Sequence, residues 1–288
     1  MSQQIQAISW PVDLIEDLAL RRCIIFLGSG VSATAQNSSQ ERPKAWKEFL
    51  LTASELIANK KDKVHTKRLI KEGNYLLALQ CIYDSIGNNQ YFTLLQSEFL
   101  TPRFEPSDVH KDIVDIDPKI AITTNFDKIY DKACFSDAHT IITYDQHEGL
   151  INNLRSDQRL VIKAHGTIDA IQNMIFTKRE YFAAKKNHPH FYKVLAALFM
   201  TNTILFLGCG LNDPDIALLL EHVYITTNSY KSHYAIVFDA VHPSVEKDWM
   251  ESYNVKALKY GPSYEDLIPN IRNLKDAVVA YRQRRGLP

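Results

Sequence analysis

No two cysteines in this 288-residue chain are near neighbours in sequence. Cys23, Cys81, Cys134 and Cys209 lie far apart and form no CxxC pair. That excludes a zinc ribbon and suggests no disulfide framework, so a reducing, cytoplasmic setting without structural zinc is expected. Charge of one sign is also lacking. Lys plus Arg is 33 and Asp plus Glu is 33, for a formal net charge of zero. A protein that coats nucleic acid needs a positive excess, and no direct nucleic-acid binding is expected. An anion site stays open, because local backbone dipoles suffice for one. Glycine and proline are scarce, at 10 and 11 residues, which excludes collagen and low-complexity disorder. The first residues show no basic segment followed by an apolar core, so no signal peptide is expected. No run is long and apolar enough for a membrane span, which takes roughly 20 residues. The stretch from Val194 to Asn212 has no charge, but Thr201-Asn202-Thr203 interrupts it and Gly208-Cys209-Gly210 breaks it.

What is present is the profile of a globular protein, with 45% hydrophobic and 23% charged residues. Cys23-Ile24-Ile25-Phe26-Leu27 is a short continuous apolar run, as expected of a strand buried on both faces. Lys119 to Thr124, Thr140 to Thr143, Leu160 to Lys163, Thr203 to Leu207, Ala235 to Phe238 and Val255 to Leu258 read as further strands. Trp46, Phe49, Leu50, Ala53, Leu56 and Ile57 fall at helical spacing. Helical patterns also cover roughly Leu76 to Ile86 and Tyr91 to Leu100. A short helix follows Phe126 to about Cys134, another is expected from Asp213 to about Thr226, and a last one from about Tyr264 to Arg284. Strands alternating with helices predict an α/β fold with a mostly parallel sheet, and a helical insert at about residues 44–110 separates the first two strands.

Ligands of an open parallel sheet bind at the carboxyl ends of its strands. Four segments converge there: Gly28-Ser29-Gly30, Thr124-Asn125-Phe126-Asp127, Ala164-His165-Gly166 and Gly208-Cys209-Gly210-Leu211-Asn212-Asp213. Gly28 to Ala33 fits GxGxxG/A after a strand, where glycines let backbone amides approach a pyrophosphate. A dinucleotide fingerprint also wants an acidic residue about 20 positions on, at a strand end. Glu48 stands there within a helical pattern, which argues against an ordinary dehydrogenase. Structural readings stand beside the functional ones. The glycine turn can be a bare strand-to-helix turn, and His165 can be structural or catalytic. Asn125 can cap a helix, Asp127 can bind a ligand amide or cap the same helix, and Asp213 and Asp215 around Pro214 suit a helix start.

GSGVS at Gly28 to Ser32, TTNFD at Thr123 to Asp127, KAHG at Lys163 to Gly166 and GCGLNDPD at Gly208 to Asp215 together resemble the SIR2 superfamily. The closer resemblance is to its bacterial SIR2-like branch, the NADase domain of antiphage defence systems. The four motifs come in family order from about Ile24 to Asp215, so the resemblance covers most of the chain and implies one SIR2-like domain over residues 1–288. It implies a Rossmann-like fold that takes NAD+ as substrate and cleaves the nicotinamide–ribose bond, giving nicotinamide and ADP-ribose. Carried over, Gly28, Ser29, Gly30 and Ser32 would hold the pyrophosphate. Asn125 would position water or ribose hydroxyls. Asp127 would line the nicotinamide pocket, and His165 would be the base. Gly208, Gly210, Asn212 and Asp213 would approach the adenosine half.

Two features depart from sirtuin deacylases: the paired zinc cysteines are missing, and Phe126 stands where isoleucine is common. The missing zinc module favours NAD+ hydrolysis over NAD+-dependent protein deacylation. A third reading is a module that senses NAD+ or ADP-ribose without turning it over. Asn125 and His165 argue against it, since a sensor needs neither. The family further implies a homo-oligomer, with an ATPase or nucleic-acid-guided defence protein as a possible partner, and no membrane partner.

Overall fold

The computed structural model describes residues 7–134, 138–211, 220 and 231–288. Asn212, Asp213, Asp215 and the helix expected from Asp213 to about Thr226 lie outside the described residues.

Among the described residues, seven strands form one sheet: β1 (Cys23–Leu27), β2 (Ile120–Thr123), β3 (His139–Thr143), β4 (Arg159–Lys163), β5 (Thr203–Leu207), β6 (His233–Val237) and β7 (Val255–Lys259). Their order is β3-β4-β2-β1-β5-β6-β7, and all six ladders are parallel. The fold is α/β and Rossmann-like. Every residue of β1, β5 and β6 is buried, because helices cover both faces of the sheet.

Alternate side chains of the strands feed two separate cores. Ile24 and Phe26 of β1, with Ile204 and Phe206 of β5, point into one. That layer is closed by α8 (His147–Leu154), α9 (Lys178–Asn187), α10 (Pro189–Thr201) and α11 (Pro243–Tyr253). Cys23, Ile25 and Leu27, with Leu205 and Leu207, point into the other. There α1 (Val12–Ala19), α6 (Asp108–Ile116) and α12 (Leu267–Arg285) pack through Leu14, Ile113, Ile271 and Leu274.

The helical insert has its own core. It consists of α3 (Trp46–Ser54), α4 (Lys60–Lys71) and α5 (Tyr75–Phe99). The two helical stretches read around residue 87 are one run, α5, interrupted at Gly87, whose φ of 74° is left-handed. Phe49, Ile70, Leu79 and Leu95 of the insert share a core with Phe126, Ile168, Met174 and Phe176, which come from the loops after β2 and β4. The insert therefore packs onto the segments that carry two of the rim motifs.

Candidate functional site

The chain leaves β1 on one side of the sheet towards β2 and later returns on the other side with β5. The switch point lies between β1 and β5, where an open α/β sheet leaves a crevice beyond its strand ends. Gly28 follows β1, Asn125 follows β2, His165 follows β4 and Gly208 follows β5. Four of the sequence motifs thus meet on one rim.

Three glycines allow two of those ends to interlock. Gly28 N–H donates to Leu207 O at 2.9 Å, and Gly30 N–H donates to Gly208 O at 2.9 Å. A Cβ on Gly28 would stand 2.4 Å from Gly208 O, and one on Gly30 would stand 2.9 Å from Gly208 Cα. Gly208 itself has a φ of 65°, and its Cβ would meet Val31 N at 2.5 Å. Glycine is required here for backbone-on-backbone contact. Gly28 caps the one-turn helix α2 (Ser29–Ser32), and Ser29 is half-buried at its start. Gly210 differs from the other three: it is exposed, and nothing lies within 4 Å of a Cβ placed on it.

Next to this turn lies a polar network from three segments. The Asn125 amide donates to Gly28 O at 2.9 Å and to Ser32 Oγ at 3.0 Å. Ser32 Oγ donates onward to Asp127 Oδ2 at 2.7 Å. The other Asp127 oxygen accepts the Ile129 N–H at 2.9 Å, at the start of α7 (Ile129–Ala133). Thr123 fixes the approach: its hydroxyl donates to Leu27 O and accepts from Asn125 N–H. Both amide hydrogens of Asn125 are thereby used, which leaves its Oδ1 as an acceptor. Asp127 thus meets the helix-end reading and in addition holds Ser32.

His165 is half-buried. Its ring lies 6.4 Å from the Phe126 ring, centroid to centroid, and its carbonyl accepts Ile175 N–H at 2.9 Å. Gly166 follows with a φ of 84°, and a Cβ there would meet Asn173 O at 2.7 Å. Phe126 is held edge-on by Phe176 at 4.5 Å, and Phe176 in turn stacks on Trp46 of the insert at 5.0 Å. The aromatic core of the insert thus extends to the His165 ring.

Residues 119–258 match the family model described as a SIR2-like domain. The chain is 25% identical over 243 residues to "Defense-associated sirtuin 2" of Bacillus subtilis, an alignment covering 83% of this chain and 23% of that protein. It is 25% identical over 245 residues to "NAD(+) hydrolase ThsA" of Acinetobacter baumannii (strain 532279), covering 84% of this chain and 48% of that protein. The chain spans about a quarter of the length of the first relative and about half of the second. A solved SIR2 homologue–NAD complex overlays with a TM-score of 0.48 at 11% identity, covering 96% of this chain and 98% of that one.

Two residues next to this network had no functional reading from sequence. His110, on α6, is buried, and its Nδ1 accepts from Ser107 N–H at 3.2 Å. The Asp127 charge acts on its ring, but burial dominates and pulls its pKa down to about 4. The signal was Ser107-x-x-His110, a capping box with histidine in place of Glu or Gln. Lys163, at the end of β4, is fully buried with its ammonium on Asp131. The signal was a lysine closing an otherwise apolar strand. Among the described residues no cluster of three or more His, Cys, Asp or Glu side chains could hold a metal, and Cys23, Cys81 and Cys134 are free thiols. No helix of the described residues is long and apolar enough to cross a membrane.

Proposed function

We propose that this chain is an NAD+ glycohydrolase, with Asn125 and His165 as its catalytic residues. The observation that carries the reading is the bond network in which Gly28 and Ser32 fix the Asn125 amide beside the strand end that carries His165. The residues suit a dinucleotide. The rim is open at Gly210, Asn125 Oδ1 is an available acceptor, and Asp127 offers a carboxylate to amide N–H groups. The name of the Acinetobacter relative, an NAD+ hydrolase, supports the same substrate.

Hydrolysis replaces the nicotinamide on the ribose carbon with a water oxygen. Nicotinamide leaves as a neutral molecule, so the protein need not protonate it. The chain's tasks are to orient the dinucleotide, to hold a water or ribose hydroxyl and to take a proton. Asn125 Oδ1 holds the hydroxyl group. His165, an imidazole at a half-buried rim position, takes the proton. Asp127 receives the carboxamide of nicotinamide, while Ser29 and the glycine turn face the pyrophosphate and the buried Ser32 holds Asn125 and Asp127 in place. Gly208 and Gly210 face the adenosine half.

The Bacillus relative is named a defence-associated sirtuin, which supports a role in antiphage defence through NAD+ depletion. Such an activity must be restrained in a healthy cell. The reading therefore includes a homo-oligomer whose turnover waits on assembly or on a partner. Light scattering beside a turnover assay tests that part, and a monomer at full speed without a partner refutes it.

The deciding experiment is to incubate the pure chain with NAD+ and separate the products by chromatography. Free nicotinamide with ADP-ribose is expected. Unchanged NAD+ with measurable binding would make the chain a sensor, and turnover only with an acylated peptide would make it a deacylase.

A further inference from the structure

We infer that Lys163 is a positioning residue, which sets the loop bearing Asn125 and Asp127 against the strand bearing His165. The inference rests on the glycohydrolase reading for its kinetic consequence and on the geometry alone for the placement.

Lys163 is the last residue of β4, two positions before His165, and is 1% exposed. Its ladder partner is Thr123, two positions before Asn125. The ammonium reaches across that ladder and donates to the main-chain carbonyl of Asp127. It also donates to Asp131 Oδ2 at 2.9 Å, on α7. One side chain thus joins β4, the loop after β2 and the helix that follows. Two backbone bonds run beside it, from Ala164 N–H to Thr123 O at 2.8 Å and from Ile168 N–H to Phe126 O at 3.0 Å. Neither backbone bond touches Asp127. Lys163 alone fixes that carbonyl from the His165 strand.

A buried ammonium is a poor choice for stability. An apolar pair of similar volume usually serves the fold as well as a buried ion pair. Burial pushes the Asp131 carboxyl up while the Lys163 charge pulls it down, so the two groups depend on each other. What an apolar pair cannot do is donate to the Asp127 carbonyl. The lysine's distinct contribution is therefore to the loop, and the Asp131 carboxylate compensates the charge that this donor brings with it.

The test is the double variant Lys163→Met with Asp131→Leu, which removes both charges together. Melting temperature, NAD+ affinity by calorimetry and steady-state NAD+ cleavage are measured beside the wild type. A folded protein with affinity within about threefold is expected. Its turnover should be lower by on the order of 100-fold, the scale of a misplacement of about an ångström. A folded double variant with wild-type turnover overturns the inference. So does a double variant that does not fold, because the fold is claimed to survive without the pair. If the wild type itself leaves NAD+ intact, the glycohydrolase reading fails separately, and crystal structures of both proteins decide the positioning. Asn125 displaced by about an ångström or more sustains it, and an unmoved Asn125 overturns it.

Discussion

The Ser32 hydroxyl donates to an Asp127 carboxylate oxygen at 2.7 Å and accepts from the Asn125 amide at 3.0 Å. A serine from the turn after β1 therefore sits between two residues of the loop after β2. It is buried, so water cannot replace it freely. Ser32→Ala leaves the Asn125 amide and the Asp127 carboxylate each short of one partner. A hydrogen bond to a charged group is worth about 1.5–3 kcal/mol. Turnover of NAD+ should fall by roughly tenfold or more, with the melting temperature lowered by only a few degrees. Wild-type kcat in folded Ser32→Ala would show that the network does not set the Asn125 amide.

Asn125→Ala and His165→Ala should each lower NAD+ cleavage by roughly 100-fold or more, the scale of losing a general acid–base group. Both positions are half-buried at the rim, so folded protein is expected. Circular dichroism alongside the turnover assay checks both points. An active, folded His165→Ala enzyme would remove the base from the mechanism.

The strands were the most legible part of the sequence. β1, β2, β4 and β5 are short, largely apolar runs, and strands buried on both faces cannot hide among loops, whereas β3 and β7 at the sheet edges are only partly buried. The convergence of Gly28, Asn125, His165 and Gly208 followed from the parallel topology. Several helices were less visible. α4 has strongly polar residues on most of its faces and buries only Thr66, Leu69 and Ile70. α6 begins with a capping box built on His110, which a search for Glu or Gln passes over. α9 does carry the ordinary signal, Thr177 with Glu180, and could have been found. The role of Lys163 was not legible at all. A lysine at a strand end normally reaches water, and only the tertiary structure places Asp131 and the Asp127 carbonyl around it.

Gly28 and Gly210 look alike in sequence, each beside a second glycine one position removed, yet their surroundings differ. A Cβ on Gly28 would overlap Gly208 O at 2.4 Å, and both atoms belong to backbone that cannot swing aside. Gly28→Ala should therefore cost about 1–3 kcal/mol or more, as overpacking does. Gly210→Ala meets open space and should stay within about 0.5 kcal/mol of wild type. Urea unfolding of the two variants is the check. Equal stability would mean that the β1 and β5 ends do not interlock as described.

His110 gives the chain a predictable response to acid. Ser107 N–H donates to its Nδ1, so that nitrogen must stay unprotonated and the neutral ring carries its hydrogen on Nε2. Burial lowers its pKa from 6.5 to about 4, although the nearby Asp127 charge works in the opposite direction. Below pH 6.5 the unfolded chain binds a proton that the folded chain refuses until about pH 4. The contribution is thus fully present above pH 6.5 and is lost as pH falls from there to about 4. Its size is on the order of 3 kcal/mol, from 1.36 kcal/mol per pKa unit. His110→Gln removes the titration while keeping an acceptor at the third helical position, where glutamine is a normal capping-box partner. The variant and the wild type should then have similar urea midpoints at pH 8. At pH 4.5 the variant should have lost less stability. His233, also lowered to about 4 by burial, is present in both proteins and cancels in the difference. Parallel loss of stability in the two proteins between pH 7 and pH 4.5 would show that His110 does not carry this acid response.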